Sequence, residues 1–196
     1  MESAKEISTL IFSKDNVSEL LSTIRSVYDF SSEVVVVYSP ASQQSWQDVN
    51  GAIADQKLGK VHTFSVPPMG HSEPYQMYGL GKCKYEWIFY IDTDEKPNAL
   101  LQRDILKIVE EAELDGFTVR KMERGKEGRH YHDSRQIRLF RRDRARYSGN
   151  IFEDPKIDGQ VAALDGRYFL LHDYDYIENP DKSYKTKNQD SGTCRV

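Results

Sequence analysis

The chain has 196 residues, 38% hydrophobic and 30% charged, with 27 Lys/Arg against 31 Asp/Glu and a net charge of -4. That is enough chain for one continuous core, so a single domain over residues 1–196 is expected, with no electrostatic footprint for nucleic acid. No apolar run approaches the roughly 20 residues of a membrane span, the opening MESAKEIS has no signal-peptide pattern, and Cys83 and Cys194 lack metal-like spacing. These features predict structural thiols in a cytoplasmic protein, with at most peripheral contact at the inner face of a membrane.

Residues 7–12 read as a short buried strand, followed by a helix that Asn16 caps, with Glu19 three positions on in a capping-box pattern. Val17, Leu20, Leu21, Ile24, Val27 and Tyr28 fall on one face of that helix, which therefore packs on a sheet. Four consecutive valines, 34–37, predict a second buried strand ending at Tyr38, Ser39 and Pro40. A weaker helix over 45–56, a strand over 61–66, a Pro/Gly loop and a helical segment over 74–84 follow. The alternation is that of a mostly parallel sheet with right-handed crossovers.

The segment YEWIFYIDTDEKP, residues 85–97, is the centre of the pattern. Trp87 to Ile91 is an unbroken aromatic and β-branched run, so its strand is buried on both faces and central to the sheet. It stops at Asp92, Asp94 and Glu95, with Pro97 expected to end the strand. A single acid there could be a solvated turn. Two Asp at i and i+2 on extended chain point the same way, and open α/β sheets bind ligands at the carboxyl ends of their strands.

The second half changes character. A helix capped by Asn98 precedes strands over 117–122, 136–140, 147–152 and 168–171 without intervening helices, so antiparallel pairings are expected. Residues 120–147 carry eleven Lys/Arg against four Asp/Glu, about +7, leaving about -11 elsewhere. The polar tail over 179–196 lies beyond these elements. Three features there carry chemistry: the acid pair Glu153–Asp154, the arginines of RQIRLFRRDRARY, and His172 at the end of YFLLH. Each has a plain reading, as turn acids, a solvated strand face and a core histidine. All three fall at predicted strand ends, where a parallel sheet opens.

In their order and spacing these segments resemble family-2 glycosyltransferases of the GT-A fold, in the style of lipopolysaccharide-core glucosyltransferase-like members. STLIFSKDNVSELLSTIRSV is similar to the family's opening strand and helix, and WIFYIDTDE to its Asp-x-Asp strand. RQIRLFRRDRARYSGNIFED is similar to its Arg-rich segment and catalytic acid, and LLHDYDY to its closing motif. The resemblance implies an α/β three-layer sandwich with a mostly parallel central sheet, residues 1–97 serving the nucleotide sugar and 98–178 the acceptor and catalysis. It assigns Phe12, Ser13, Tyr38, Ser39, Asp92 and Arg138 to the donor side. It assigns Asp92, Asp94 and His172 to a divalent metal, Mn2+ or Mg2+, and Glu153 with Asp154 to the general base. The implied donor is a nucleotide-diphosphate sugar, and the acceptor a glycan or lipid-linked sugar, anionic if the basic segment faces it. Tyr38 stands where the family usually has Asp, Gln76–Met77 where it has Arg-Asn, and Phe152 where a His often precedes the acid. Two competing functions follow from the same residues: a nucleotide- or sugar-binding module without turnover, and a haloacid-dehalogenase-type phosphatase. The latter expects Thr or Val where Lys96 stands.

Overall fold

A computed structural model describes residues 5–14, 16–67, 73–124, 130–148 and 154–173, with backbone only for 73, 124, 130–133 and 173. The apolar runs form strands β1 (Ile7–Ser13) and β2 (Glu33–Tyr38), each buried at every position. Between them lies α1 (Val17–Val27), where Asn16 Oδ1 accepts from Glu19 N at 3.1 Å, giving the capping expected of that pair. Its buried face is Leu20, Thr23, Ile24 and Val27. Next come α2 (Gln43–Asp55), capped by Ser42, then β3 (Val61–Ser65). The third helical segment starts as a 3₁₀ turn, Glu73–Tyr75, before α3 (Gln76–Lys82).

Strand β4 (Trp87–Asp92) is the predicted central strand. The acids after it do not run into a loop, as Pro97 suggested. Thr93 and Asp94 turn the chain, and β5 (Glu95–Pro97) pairs antiparallel with the last strand of the fold. Pro97 sits on an edge strand, where its missing N–H removes no ladder bond. Then follow α4 (Ala99–Glu110), capped by Asn98, and the long strands β6 (Gly116–Arg124) and β7 (His130–Arg141). The short strands are β8 (Ala145–Arg146), β9 (Lys156–Ile157) and β10 (Val161–Ala163), before β11 (Phe169–Asp173).

The sheet order is β3-β2-β1-β4-β7-β6-β11-β5, with β10 also on β6, while β8 and β9 pair separately. Pairs β3–β2, β2–β1 and β1–β4 are parallel. Strand β7 is antiparallel to both β4 and β6, as expected of the second half, yet β10 and β11 return parallel to β6. Alternate side chains separate two apolar layers. Ile7, Ile11, Val34 and Val36 pack with α1, α2 and α4 on one face; Leu10, Phe12, Val35 and Val37 pack with Leu80 of α3 on the other. The result is the three-layer α/β sandwich that the sequence implies.

Helix α3 touches the sheet through Gly79, where an added Cβ would lie 2.8 Å from Phe12 Cζ and 3.1 Å from both Leu10 Cδ1 and Val37 Cγ2. Those three side chains belong to the buried core and have little room to yield. Gly79→Val is expected to cost about 1–3 kcal/mol of stability by overpacking, read as a fall in melting temperature, whereas Gly81→Ala, with open space around it, should not.

Candidate functional site

Strands β1, β2 and β4 end level with one another. Phe12 is in register with Asp92 and Ser13 with Tyr38, so four residues assigned to the donor side lie along one sheet edge. Ser39 follows directly, its N donating to Ser13 O at 2.9 Å and its hydroxyl to Pro67 O at 3.4 Å. Phe12 packs edge-on against Tyr90. Tyr38 is 0% exposed, with its ring stacked on Trp46, so its face meets an indole of α2.

The acids beyond β4 separate. Asp92 Oδ1 accepts from Tyr90 OH and Oδ2 from Arg138 Nη2, both at 2.8 Å. Burial alone would raise the Asp92 carboxyl, but the Arg138 guanidinium outweighs it and holds the group below the ordinary carboxylate range. Burial, and after it the Asp92 carboxylate, push the Tyr90 phenol well up, with Arg138 offsetting only part of the rise. Asp94 instead meets His172: its Oδ2 lies 3.0 Å from His172 Nε2, with Glu123 Oε1 3.8 Å from Nδ1 on the far side of the ring. His172 is in register with Glu95 on β5 and Glu123 on β6, which is how the sheet delivers it to this edge.

Glu95 has a different role from its neighbours. It is 0% exposed, and its Oε1 receives Arg138 Nη2 at 2.8 Å and Lys121 Nζ at 2.9 Å. Its Oε2 accepts from Asp92 N at 3.2 Å. Thr23 of α1 donates to Thr93 O at 2.7 Å, so the turn is also held from the helix beneath. Burial alone would lower Lys121 and Arg138; the Glu95 and Asp92 carboxylates together outweigh that for both and raise them. Lys121, Glu95 and Thr23 are not in the donor or metal sets read from the sequence.

Arg138 reaches this network because of a β-bulge. Phe117 pairs Leu139 and Thr118 pairs Ile137, leaving Arg138 as an extra residue between them. A bulge re-aims a side chain and is common beside functional sites. Arg138 is therefore 3% exposed and stacked over the Tyr90 ring at 4.6 Å, rather than on a solvated face. Other arginines of the basic segment also have internal partners: Arg141 pairs with Glu86, Arg142 donates to Cys83 O and Lys84 O, and Arg144 lies 3.8 Å from Asp115.

Of the acid pair expected as base, Glu153 lies outside the described residues, as does Phe152. Asp154 has an exposed surface, yet burial of its carboxyl side pushes the group up; Arg138 and the Ile137 backbone partly offset this, and Asp92 and Glu95 push it further. It therefore shares the electrostatic environment of the Asp92 cluster. Tyr147 feels both carboxylates; its N donates to Met77 Sδ at 3.3 Å and its phenol is raised by burial first, then by Asp154 and Asp92, with Arg138 opposing.

Among the described residues no group of three or more His, Cys, Asp or Glu side chains is arranged to hold a metal. The pair Asp94 and His172 nevertheless supplies a carboxylate oxygen and an imidazole nitrogen side by side, two donors that fit a divalent cation whose other ligands come from water or phosphate.

No family model and no curated protein matches the chain. Solved structures do. S. aureus TarS 1–349 matches with a TM-score of 0.61 and 14% identity, over 86% of this chain and 60% of that one. GalNAc-T7 with UDP, GalNAc and Mn2+ matches with a TM-score of 0.64 and 12% identity, over 89% and 45%. TarS 1–349 in complex with UDP-GlcNAc gives 0.50 and 19%, over 65% and 37%. The chain thus spans 37–60% of the length of these neighbours. What it shares with them is the fold, a mixed α/β sheet of the GT-A glycosyltransferase type.

Arg138→Met strands two carboxylates at the centre of the network and is expected to cost about 3–5 kcal/mol, against less than about 0.5 for Arg167→Met at the surface, read by denaturant unfolding. The acid side carries a second signature. Because Asp92 is depressed in the folded protein, its contribution is complete above the unfolded carboxylate value near pH ~4 and is lost as pH falls through the lower folded value. In Arg138→Met the guanidinium no longer offsets burial, so the variant should lose less stability than the unaltered protein as pH falls through that range.

Proposed function

We propose that the chain is a glycosyltransferase domain that moves a sugar from a nucleotide-diphosphate sugar to an acceptor hydroxyl by a single inverting displacement, assisted by a divalent cation. The observation that carries this reading is that Ser13 and Asp92 end parallel strands at one sheet edge, with Asp94 two residues on paired to His172 and Asp154 within electrostatic reach of Asp92. The likeness in fold to structures holding UDP-GlcNAc, or UDP, GalNAc and Mn2+, supports it. The sequence motifs support the finer assignment to family 2 and a hexosyl donor.

Asp94 and His172 would hold the cation, and the nitrogen donor favours Mn2+ over Mg2+. When bound, such an ion offsets the negative charge that gathers on the diphosphate as the glycosidic bond breaks. Asp92, oriented by Tyr90 and Arg138, faces the ribose side of the donor, flanked by Phe12 and Ser13. Ser39 lies at the end of β2 on the nucleotide side, next to buried Tyr38, whose ring stacks on Trp46. The base comes from the Glu153–Asp154 pair. Asp154 suits the role because a raised carboxyl is a stronger proton acceptor at neutral pH than an ordinary one. The base accepts the acceptor's hydroxyl proton as its oxygen attacks the anomeric carbon, opposite the departing diphosphate. Residues 98–178 then serve the acceptor, a glycan or lipid-linked sugar. Among the described residues no helix is long and apolar enough to cross a membrane.

A panel of nucleoside diphosphates with and without Mn2+ tests the reading. Ligand at 100 times its Kd should stabilise the protein by about 2.7 kcal/mol, and Asp94→Ala or His172→Ala should remove the Mn2+-dependent part. Asp154→Asn should lower turnover about 10²–10⁴-fold while leaving donor binding intact. No Mn2+-dependent stabilisation with any nucleoside diphosphate contradicts the proposal.

A further inference from the structure

Glu95 is a carboxylate buried completely at the start of an edge strand, and such a group is costly unless its partners are well placed. We propose that Glu95, with Lys121, is a positioning unit for the donor site: it holds Asp92 and Asp94 in place without touching donor or metal. This rests on the glycosyltransferase reading above.

The wiring supports the role at three points. Through Oε2 the Glu95 carboxylate takes the backbone N–H of Asp92, and through Oε1 it holds Arg138, which in turn holds the Asp92 side chain. One group therefore fixes both the backbone and the carboxylate of Asp92. Asp94 lies inside the same four-residue turn, and Glu95 is the register partner of His172, so the spacing of the Asp94–His172 pair depends on where Glu95 sits. Finally, Arg138 Nη2 carries two hydrogens but has three acceptors: Asp92 Oδ2 at 2.8 Å, Glu95 Oε1 at 2.8 Å and Gln136 Oε1 at 2.7 Å. With Glu95 and Gln136 in place, Asp92 can turn to a ligand without leaving the buried guanidinium unpaired.

Charge closes the argument. Asp92 and Glu95 balance Arg138 and Lys121, with no net charge among the four. Removing the Glu95 charge leaves two cations facing Asp92 alone, which draws that carboxylate onto Arg138 and away from a ligand. Removing the Lys121 charge as well restores the balance.

The test uses the full chain and titrates UDP with Mn2+ by calorimetry into the unaltered protein, Glu95→Gln, Lys121→Met and the double variant, each also melted thermally. Loss of a residue that orients a metal or ligand group typically costs about 10–100-fold in affinity, and that weakening is expected for Glu95→Gln. The double variant should bind more tightly than Glu95→Gln, the non-additivity expected of coupled charges. Binding by Glu95→Gln equal to that of the unaltered protein, however far its melting temperature falls, makes Glu95 structural only and overturns the proposal. So does a double variant as weak as the two single losses combined. If Glu95→Gln does not fold, the double variant must bind more weakly than Lys121→Met, which keeps Glu95 on Arg138 and on the Asp92 N–H, and equal binding by those two overturns the proposal. Absence of UDP binding by the unaltered protein overturns the glycosyltransferase reading, and this inference with it.

Discussion

Asp92 and Glu95 are three residues apart in the chain, yet they begin and end different strands that lie four places apart in the sheet, and both close on Nη2 of Arg138. For β4 and β5 to be joined by a two-residue turn while β7, β6 and β11 stand between them, that half of the sheet must curl back on itself. The inside of the curl is where Arg138 and Lys121 project, from the two strands that form its wall. An apolar filling would close such a curl with equal or greater stability, since desolvating four charged groups offsets much of their attraction. The charged version contributes something an apolar one does not: carboxylates and a guanidinium held at fixed positions beside the ends of the parallel strands.

The remaining architecture serves that arrangement. The parallel half supplies β1, β2 and β4, whose carboxyl ends meet in register, and α1 holds the turn from below through Thr23. The returning half supplies the cations, the histidine and Asp154. The proposed site thus lies where the two halves of the sheet meet, and neither half alone carries both the ends of β1, β2 and β4 and His172.

Much of this was legible in the residues. The valine run of β2, the aromatic run of β4 and the Asn16 and Asn98 caps each specify their element locally, so tertiary context had little to override. The neighbourhood of Asp94 and His172 follows from position: His172 ends an apolar run, Asp94 lies two residues beyond the end of another, and the two meet through β11 and β5. The bulge at Arg138 was not legible. In RQIRLF the alternation puts Arg138 opposite Ile137 and Leu139, on a polar face, and only the pairing of β7 with β6 reveals that it is an extra residue turned inward. Glu95 was read as one acid of a ligand-facing cluster because its two cations arrive from strands 26 and 43 residues further on. Pro97 suggested an end to the strand because a proline forbids a central strand but not an edge one, and edge position is a property of the whole sheet. The basic segment looked like a surface for anions, while Arg138, Arg141 and Arg142 are engaged within the protein.

The central claim is that the turn following β4 and the end of β11 form one metal-assisted diphosphate site organised by Glu95 and Arg138. A crystal structure of the chain with UDP and Mn2+, with the metal located by its anomalous signal, tests it most directly. The account predicts a manganese peak bonded to Asp94 and His172, the diphosphate beside it, and Arg138 still paired with Glu95. A manganese peak away from those two side chains, or UDP bound elsewhere than the carboxyl ends of β1, β2 and β4, would contradict it.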